Sequence, residues 1–556
     1  MLGSWLIYRH LWPHPSQHTL GSAHHTNDPM QIMWFLKWVP YQLLHGHNPL
    51  AAHAIYYPAG VALSWNTLVP TLGLLAAPVT LTLGPAVSFA ALMTAAPVLS
   101  SLTGYWWLRR HCRHALPAVA GALVVGFNSF VSGHMLGHLN LTFVALIPLM
   151  LMLTEDLLWR HPRPQRRSAV YLGLVTAAQA GISEEIILIV VIGAVLALIC
   201  YALFDRHAVA VAIGASARYL ASAAAVFVVV ASPLLWTQLF LSPHVNLLAL
   251  PWHALLPDYV ESTGRQVLTF GRLNRSVIGA AENGVYIGPV LLVVLLLAIL
   301  LTWRRDRQVR AATMTLVVLV VLTFGAITWG GVALPWTAAS HLPILQSILP
   351  VRFAFASFLI IAWLVTRWLD NLLQVAQSAQ PRVRAASLLG IGVSLAAVAT
   401  LAPAPVGVTD LPPHVAFFTS ATDLGMVPRD APILLLPVAS FHDASGMYYQ
   451  QQADFRFTQP GGYALRPDGA TGVSYGPPDS PLVWLSALAG SGQTLFPQTA
   501  LTAGTHQLAS EQYHAIVVVG SAPSAAQFIA LAQRLTGRRA DRVVDGAHIW
   551  ILRPKR

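Results

Sequence analysis

The sequence predicts a polytopic α-helical membrane protein of about 10–11 transmembrane helices, followed by a small α/β domain outside the membrane. The first observation behind this is composition. Of 556 residues 55% are hydrophobic and only 10% charged, with a mean hydropathy of +0.60, well outside the range of soluble domains. The second is length: apolar runs able to cross ~30 Å of hydrocarbon recur from Ala86 to Pro403. The third is the change beyond Pro403 to a polar tail containing Pro and Gly.

The formal charge of +11 raises the question of nucleic acid, and its distribution answers it. Residues 404–556 hold ten basic and ten acidic side chains, so the excess belongs to the membrane part. Of the 22 basic residues there, 16 fall within Arg109 to Arg113, Arg160 to Arg167, Arg206 to Arg218, Arg304 to Arg310 and Arg367 to Arg384. These short loops are cytoplasmic by the positive-inside rule, and no nucleic-acid partner is expected.

With those loops inside, the spans run over 86–108, 115–132, 139–158, 169–182, 185–204, 218–241, 286–303, 311–329, 351–369 and 385–403. Residues 1–403 form the membrane domain and 404–556 the exterior domain, with 12–66 as the first exterior loop. The stretch 67–84 is apolar but carries Pro70 and Pro78, and reads as a re-entrant or interfacial segment. Met1 to Leu11 is too short to span and lacks a signal-peptide cleavage site. The first transmembrane helix is therefore expected to be incomplete, or the start to lie upstream. Cys112 and Cys200 suggest neither a disulfide nor a zinc site.

Asp28 stands in the polar stretch His24-His25-Thr26-Asn27-Asp28-Pro29 of the first exterior loop. Pro29 to Leu44 reads as an amphipathic helix, with Met30, Met33, Trp34, Lys37, Trp38 and Tyr41 on one stripe suited to the membrane interface. An acid before proline is a favourable helix start, so Asp28 is either an N-cap or a reacting group. Glu184 and Glu185 follow Ser183 at the outer mouth of a span. They satisfy the helix dipole there, or they face a cation or ligand.

Arg352, just after Pro350, opposes the dipole of its helix and needs a negative partner, either a lipid phosphate or one of these carboxylates. His134 and His138, four apart in Ser132-Gly133-His134-Met135-Leu136-Gly137-His138, have a spacing that lets histidines share a metal on a helix. The glycines argue against a regular helix, and hydrogen bonding is the default role. The long outer loop Ser242 to Val285 adds Asp258, Glu261, Arg265, Arg272, Arg275 and Glu282. Mixed charge of this kind is either a solvated face or part of a site. There is no Walker A, G-x-G-x-x-G or H-E-x-x-H motif, which disfavours nucleotide-driven chemistry.

Several segments resemble the GT-C membrane glycosyltransferases, especially YfhO-like ones. They are Asn27-Asp28-Pro29 with Trp34 and Trp38, Gly46-His47-Asn48-Pro49-Leu50, Tyr56-Tyr57-Pro58-Ala59-Gly60 and Gly126-Phe127-Asn128-Ser129. Further ones are Gly137-His138-Leu139-Asn140-Leu141, Gln179 with Ser183-Glu184-Glu185, and Leu349-Pro350-Val351-Arg352-Phe353. In the tail, Leu434-Leu435-Leu436-Pro437, Met447-Tyr448-Tyr449-Gln450 and Gly461-Gly462-Tyr463 look like exterior domains attached to such proteins.

The resemblance implies inverting transfer of a sugar from a polyprenyl phosphate donor to a lipid or polysaccharide acceptor of the cell envelope, at the outer face of a bacterial plasma membrane. It implies Asp28 as the base, since a lipid phosphate leaves readily and one base suffices. Arg352, with Arg265, Arg272 and Arg275 behind it, would hold the donor phosphate. Glu184 or Glu185 would bind sugar hydroxyls or a divalent cation, with His134 and His138 nearby in the substrate-binding set. The rivals are a transporter or flippase of a lipid-linked sugar, and a non-catalytic envelope scaffold.

In the tail, β-like runs at Pro432 to Val438, Ala515 to Val519 and His548 to Leu552, with a helical pattern from Ser524 to Leu535, predict the small α/β domain. Its aromatics Tyr448, Tyr449, Phe455, Phe457, Tyr463, Tyr475 and Trp484 are either core or sugar-stacking surfaces.

Overall fold

The computed structural model describes residues 1–21, 27–161, 164–241, 252–269, 282–342, 344–378, 380–468 and 472–552. His24, His25 and Thr26, and with them Arg272 and Arg275, lie outside the described residues. The chain divides into two units. The first comprises Met1–Pro13, Ala91–Leu235 and the described residues of Leu247–Gly407. The second comprises His14–Ala90, Val408–Arg556 and the start of Trp236–Asn246, again as far as described.

The first unit is helical because its sequence supplies long apolar runs without the apolar–polar alternation that marks strands. Among the described residues seven helices are long and apolar enough to cross a membrane. They are Pro85–His111, Ala115–His134, Leu139–Arg160, Glu184–Ala202, Arg206–Leu241, Pro350–Gln377 and Pro381–Ala399. The protein is a multi-pass membrane protein. The other three expected spans are also helices, Gln165–Ala180, Pro289–Thr302 and Arg307–Thr323, with 16, 14 and 17 residues.

The helix Ala354–Ser378 packs against both Ala115–Phe127 and Pro381–Ala399, and Glu184–Ala202 packs against Arg307–Thr323. Beneath the first turn of Glu184–Ala202 lies an apolar cluster of Ile189, Leu319, Leu322, Trp336, Ile348, Phe353 and Ala356.

The second unit holds a mixed five-stranded sheet. Its strands are β1 (Ala431–Leu436), β2 (Phe457–Thr458), β3 (Ala515–Val519), β4 (Arg542–Val544) and β5 (Ala547–Ile551), in the order β4-β5-β3-β1-β2. β3 runs parallel to β1, with Ala515 opposite Ile433, and antiparallel to β5, with Ala515 opposite Ile551. β1 and β3 are apolar runs buried on both faces, as expected of central strands. The helix Ala525–Thr536 covers the sheet through Phe528, Leu531, Ala532 and Leu535.

Residues 14–90 fold with this sheet rather than with the helices, although the sequence places them in the membrane domain. His18–Leu20 pairs antiparallel with Val408–Asp410. Tyr57 N–H donates to the Gln459 carbonyl at 3.0 Å, and Gln459 N–H to the Ala54 carbonyl at 3.0 Å. The stretch 67–84 forms two short helices, Pro70–Leu75 and Ala77–Leu83.

The helix Asn27–Leu44 departs from the expectation of an interfacial position. Trp34 and Trp38 are buried, stacked on each other at 4.7 Å and edge-on to Phe455. Trp34 Nε1 donates to Gln450 Oε1 at 3.0 Å, and Lys37 is paired with Asp454 at 2.6 Å. The aromatic stripe is a packing face, filled by the helix Ser445–Gln452.

Candidate functional site

In the first unit, the polar residues of greatest interest gather around Arg352. The 3-10 turn Pro350–Phe353 anchors through buried Val351 and Phe353 and leaves the guanidinium beside the start of Glu184–Ala202. Ser183 caps that helix by accepting from Ile186 N–H, which fixes Glu185 in its first turn. Arg352 Nη1 donates to Glu185 Oε2. Its other edge grips Glu282, Nη2 to Oε1 at 2.8 Å and Nε to Oε2 at 3.1 Å, a bidentate pair. The cation that opposed its helix dipole thus has its negative partners within the protein. Glu184 is exposed.

Glu282 is held from the other side by the short helix Ser129–His134. Asn128 caps that helix by accepting from Val131 N–H at 3.0 Å. Gly284 packs against Phe130 so closely that a Cβ there would lie 2.6 Å from Phe130 Cα. Ser129 Oγ donates to the Tyr286 carbonyl at 2.5 Å, and Gln266 Nε2 reaches Ser129 and Ser132 at 3.2 and 3.3 Å. Burial pushes the Glu282 carboxyl up, but the Arg352 guanidinium that grips both its oxygens outweighs this and holds the group below the usual carboxylate range.

His134 Nδ1 lies 2.8 Å from the Phe130 carbonyl, which can only accept, so Nδ1 carries a proton. In the neutral ring, Nε2 then turns its lone pair toward Glu282 Oε2, at 3.4 Å. That is long for a buried imidazolium–carboxylate hydrogen bond, about 2.7–2.9 Å. It matches the edge of a tetrahedron, about 3.3–3.5 Å, around an ion with bonds near 2.0–2.1 Å. His138 completes the set: one ligand atom each from His134, His138 and Glu282 lie within 4.8 Å of one another. With one arginine and two glutamates, the group carries a formal charge of −1 when both histidines are neutral. These three residues can hold a divalent cation, the Phe130 carbonyl fixing the tautomer and Arg352 orienting the carboxylate.

The sequence singled out His134, His138, Glu185 and Arg352, and the structure brings them together. It gave Glu282 no rank among the mixed charges of its loop. The signal was Arg352 itself, a buried cation in need of an acid. Arg265 is half-buried, makes no ion pair among the described residues, and is fixed by its carbonyl accepting from Ala404 N–H at 2.7 Å.

Asp28 lies in the second unit, in the first turn of Asn27–Leu44. It is half-buried and accepts from the Tyr463 hydroxyl at 2.6 Å through Oδ1. Burial, then the Asp28 charge, push the Tyr463 phenol up, so it stays a protonated donor. Asn27, immediately before, opens the helix and ties it to the turn at Phe441. Its Nδ2 donates to the Phe441 carbonyl at 2.8 Å and its Oδ1 accepts from Ala444 N–H at 3.1 Å. Of the tail aromatics, Tyr448, Tyr449, Phe455, Phe457 and Tyr463 are buried, whereas Tyr475 and Trp484 are half-exposed.

No protein-family profile matches the sequence, and no curated protein matches it. Solved structures do. The arabinofuranosyltransferase AftD from Mycobacteria is matched over 100% of this chain and 39% of its own, at 13% identity and a TM-score of 0.52. The fold is similar to that of this arabinofuranosyltransferase. This chain spans well under half the length of that enzyme. The oligosaccharyltransferase AglB from Archaeoglobus fulgidus, solved with an inhibitory peptide and a dolichol-phosphate, is matched over 92% of this chain and 67% of its own. Its identity is 13% and its TM-score 0.49. ArnT from Cupriavidus metallidurans, bound to undecaprenyl phosphate, is matched over 99% of this chain and 96% of its own, at 11% identity and a TM-score of 0.46.

Proposed function

We propose that this chain is a membrane glycosyltransferase that moves a sugar from a polyprenyl phosphate-linked donor to an envelope acceptor at the outer face of the membrane. The observation that carries the reading is Asp28, a carboxylate fixed by a phenol within a GT-C fold. The acceptor oxygen attacks the anomeric carbon and its proton passes to Asp28. The bond from that carbon to the phosphate oxygen breaks, and the electron pair leaves with the lipid phosphate. One base suffices, and the carbon inverts.

In the first unit, Arg352 is committed to two carboxylates, so it serves as the positioning group of Glu282 rather than as a phosphate clamp. A divalent cation held by His134, His138 and Glu282 would supply a localised positive charge in the first unit. Glu184, exposed beside Glu185, is suited to sugar hydroxyls.

The test is Asp28→Asn in the full chain. It should keep the fold and cut turnover of a polyprenyl phosphate-sugar donor by about 10²- to 10⁴-fold, the usual contribution of a general base. Transfer at the parental rate would remove Asp28 from the chemistry.

A further inference from the structure

Most aromatic side chains of the second unit are buried, as the physics of a soluble fold demands. Phe441 and Tyr475 are not: they are 49% and 47% exposed, and both stand beside Tyr463. The ring centroids lie 5.4 Å apart for Phe441 and Tyr463, and 6.5 Å apart for Tyr463 and Tyr475.

The backbone behind these rings is tied down. Asn27 clamps the turn at Phe441 and Ala444. Within that turn Ser440 N–H donates to the Asp443 carbonyl at 2.8 Å, and Ser445 N–H to Asp443 Oδ1 at 2.9 Å. Tyr475 sits in a strand paired with Leu465, and Gln31 Nε2 donates to the Tyr463 carbonyl at 2.7 Å. The fold therefore holds two half-exposed rings at fixed positions next to a carboxylate, and gains little from their own burial.

We propose that Phe441, Tyr463 and Tyr475, together with Asp28, form a saccharide-binding platform, and that the acceptor of the transfer reaction is a glycan. A sugar ring presents C–H groups on its faces and hydroxyls around its rim. The faces fit the electron-rich aromatic rings, whose negative quadrupole attracts C–H edges. The rim hydroxyls donate to Asp28, which accepts only. An acyl chain would gain from the rings but brings no hydroxyl to donate to the carboxylate.

Tyr463 is a positioning residue. Its hydroxyl holds Oδ1 and favours the carboxylate over the acid, which leaves Asp28 in the state that accepts a proton from a bound hydroxyl. The identity of the acceptor rests on the glycosyltransferase reading. The saccharide platform itself does not.

The experiment uses the full chain in lipid nanodiscs and saturation-transfer NMR, irradiating the aromatic protons. The probes are linear tetrasaccharides of pentofuranose and hexopyranose units, with a neutral pentapeptide and a short-chain phosphatidylglycerol as controls. At least one saccharide should receive saturation on its C–H protons. The double variant Phe441→Ala, Tyr475→Ala should weaken its binding by about tenfold or more, as expected for two lost ring contacts. Both side chains are half-exposed, and an unchanged circular dichroism spectrum verifies the fold.

Tyr463→Phe should keep saccharide binding within about twofold, since its ring remains. It should move the acid limb of the kcat/KM profile to higher pH, because loss of the donor raises the Asp28 pKa. Binding of a probe saccharide without any sugar transfer would leave the platform standing and overturn the transferase reading. The platform is overturned if no saccharide is bound, if the double variant binds as tightly as the parent, or if only the peptide or the lipid is captured through these rings.

Discussion

At the residue scale the group around Arg352 is decided by charge. A buried guanidinium between two carboxylates is costly to disturb, because removing one partner strands the others away from water. Arg352, with 16% of its side chain exposed, and Glu282, with 8%, meet that condition. Arg352→Ala should therefore destabilise the protein by about 3–5 kcal/mol, seen as a lower midpoint of thermal unfolding in detergent. Arg352→Lys keeps the charge but loses the fork that grips Glu282 with two bonds, and should fall between the two. The same residues carry a prediction for ion binding. Calorimetry with zinc or manganese chloride alone should show one ion per chain, lost in Glu282→Gln and weakened about 10–100-fold in Arg352→Lys, which acts only by orienting the ligand. No uptake by the parent would reduce the cluster to an ion-pair network.

At the element scale the second unit is built around phenols that water does not reach. Burial is the first cause that pushes Tyr449 up to about 12, and it raises Tyr56, Tyr463 and Tyr513 further. Such a group favours folding below its unfolded pKa of about 10, and loses that contribution as pH rises toward its folded value. An alkaline titration followed by tyrosinate absorbance should show exposed tyrosines ionising near pH 10. A second, cooperative step at higher pH should coincide with loss of near-ultraviolet circular dichroism. A single smooth titration would mean that these phenols are open to solvent.

The strands around these phenols were legible in advance. β1, β3 and β5 match the runs read from hydrophobicity within one or two residues, because four successive Val, Ile or Leu in β1 and β3, and Ile549-Trp550-Ile551 in β5, are typical of strands. The helix Asn27–Leu44 was legible as a helix but not in its environment. A stripe of Trp, Tyr and Lys reads the same whether it faces a lipid interface or a protein wall, and that wall, Ser445–Gln452, comes some 400 residues later. Asp28 was likewise visible as an acid in a suggestive place. Its partner Tyr463, 435 positions away, was not.

At the scale of the whole molecule, the pairing of His18–Leu20 with Val408–Asp410 constrains how often the chain crosses the membrane. Segments that share one sheet and one core must lie on the same side, so the helices between them must make an even number of crossings. The seven long apolar helices would make an odd number. Adding Gln165–Ala180, Pro289–Thr302 and Arg307–Thr323 gives ten, the count at which every arginine-rich loop falls on one side. This fixes an outcome for labelling. With Cys112 and Cys200 replaced by serine, a membrane-impermeant maleimide should reach Ser491→Cys in intact cells. It should reach Arg305→Cys, three crossings away, only after permeabilisation. Both sites are exposed, so failure to react reports the membrane rather than burial. Labelling of both in intact cells would show that the short helices do not all cross. The reversed pattern would put the arginine loops and the proposed acceptor platform on sides opposite to those argued from charge.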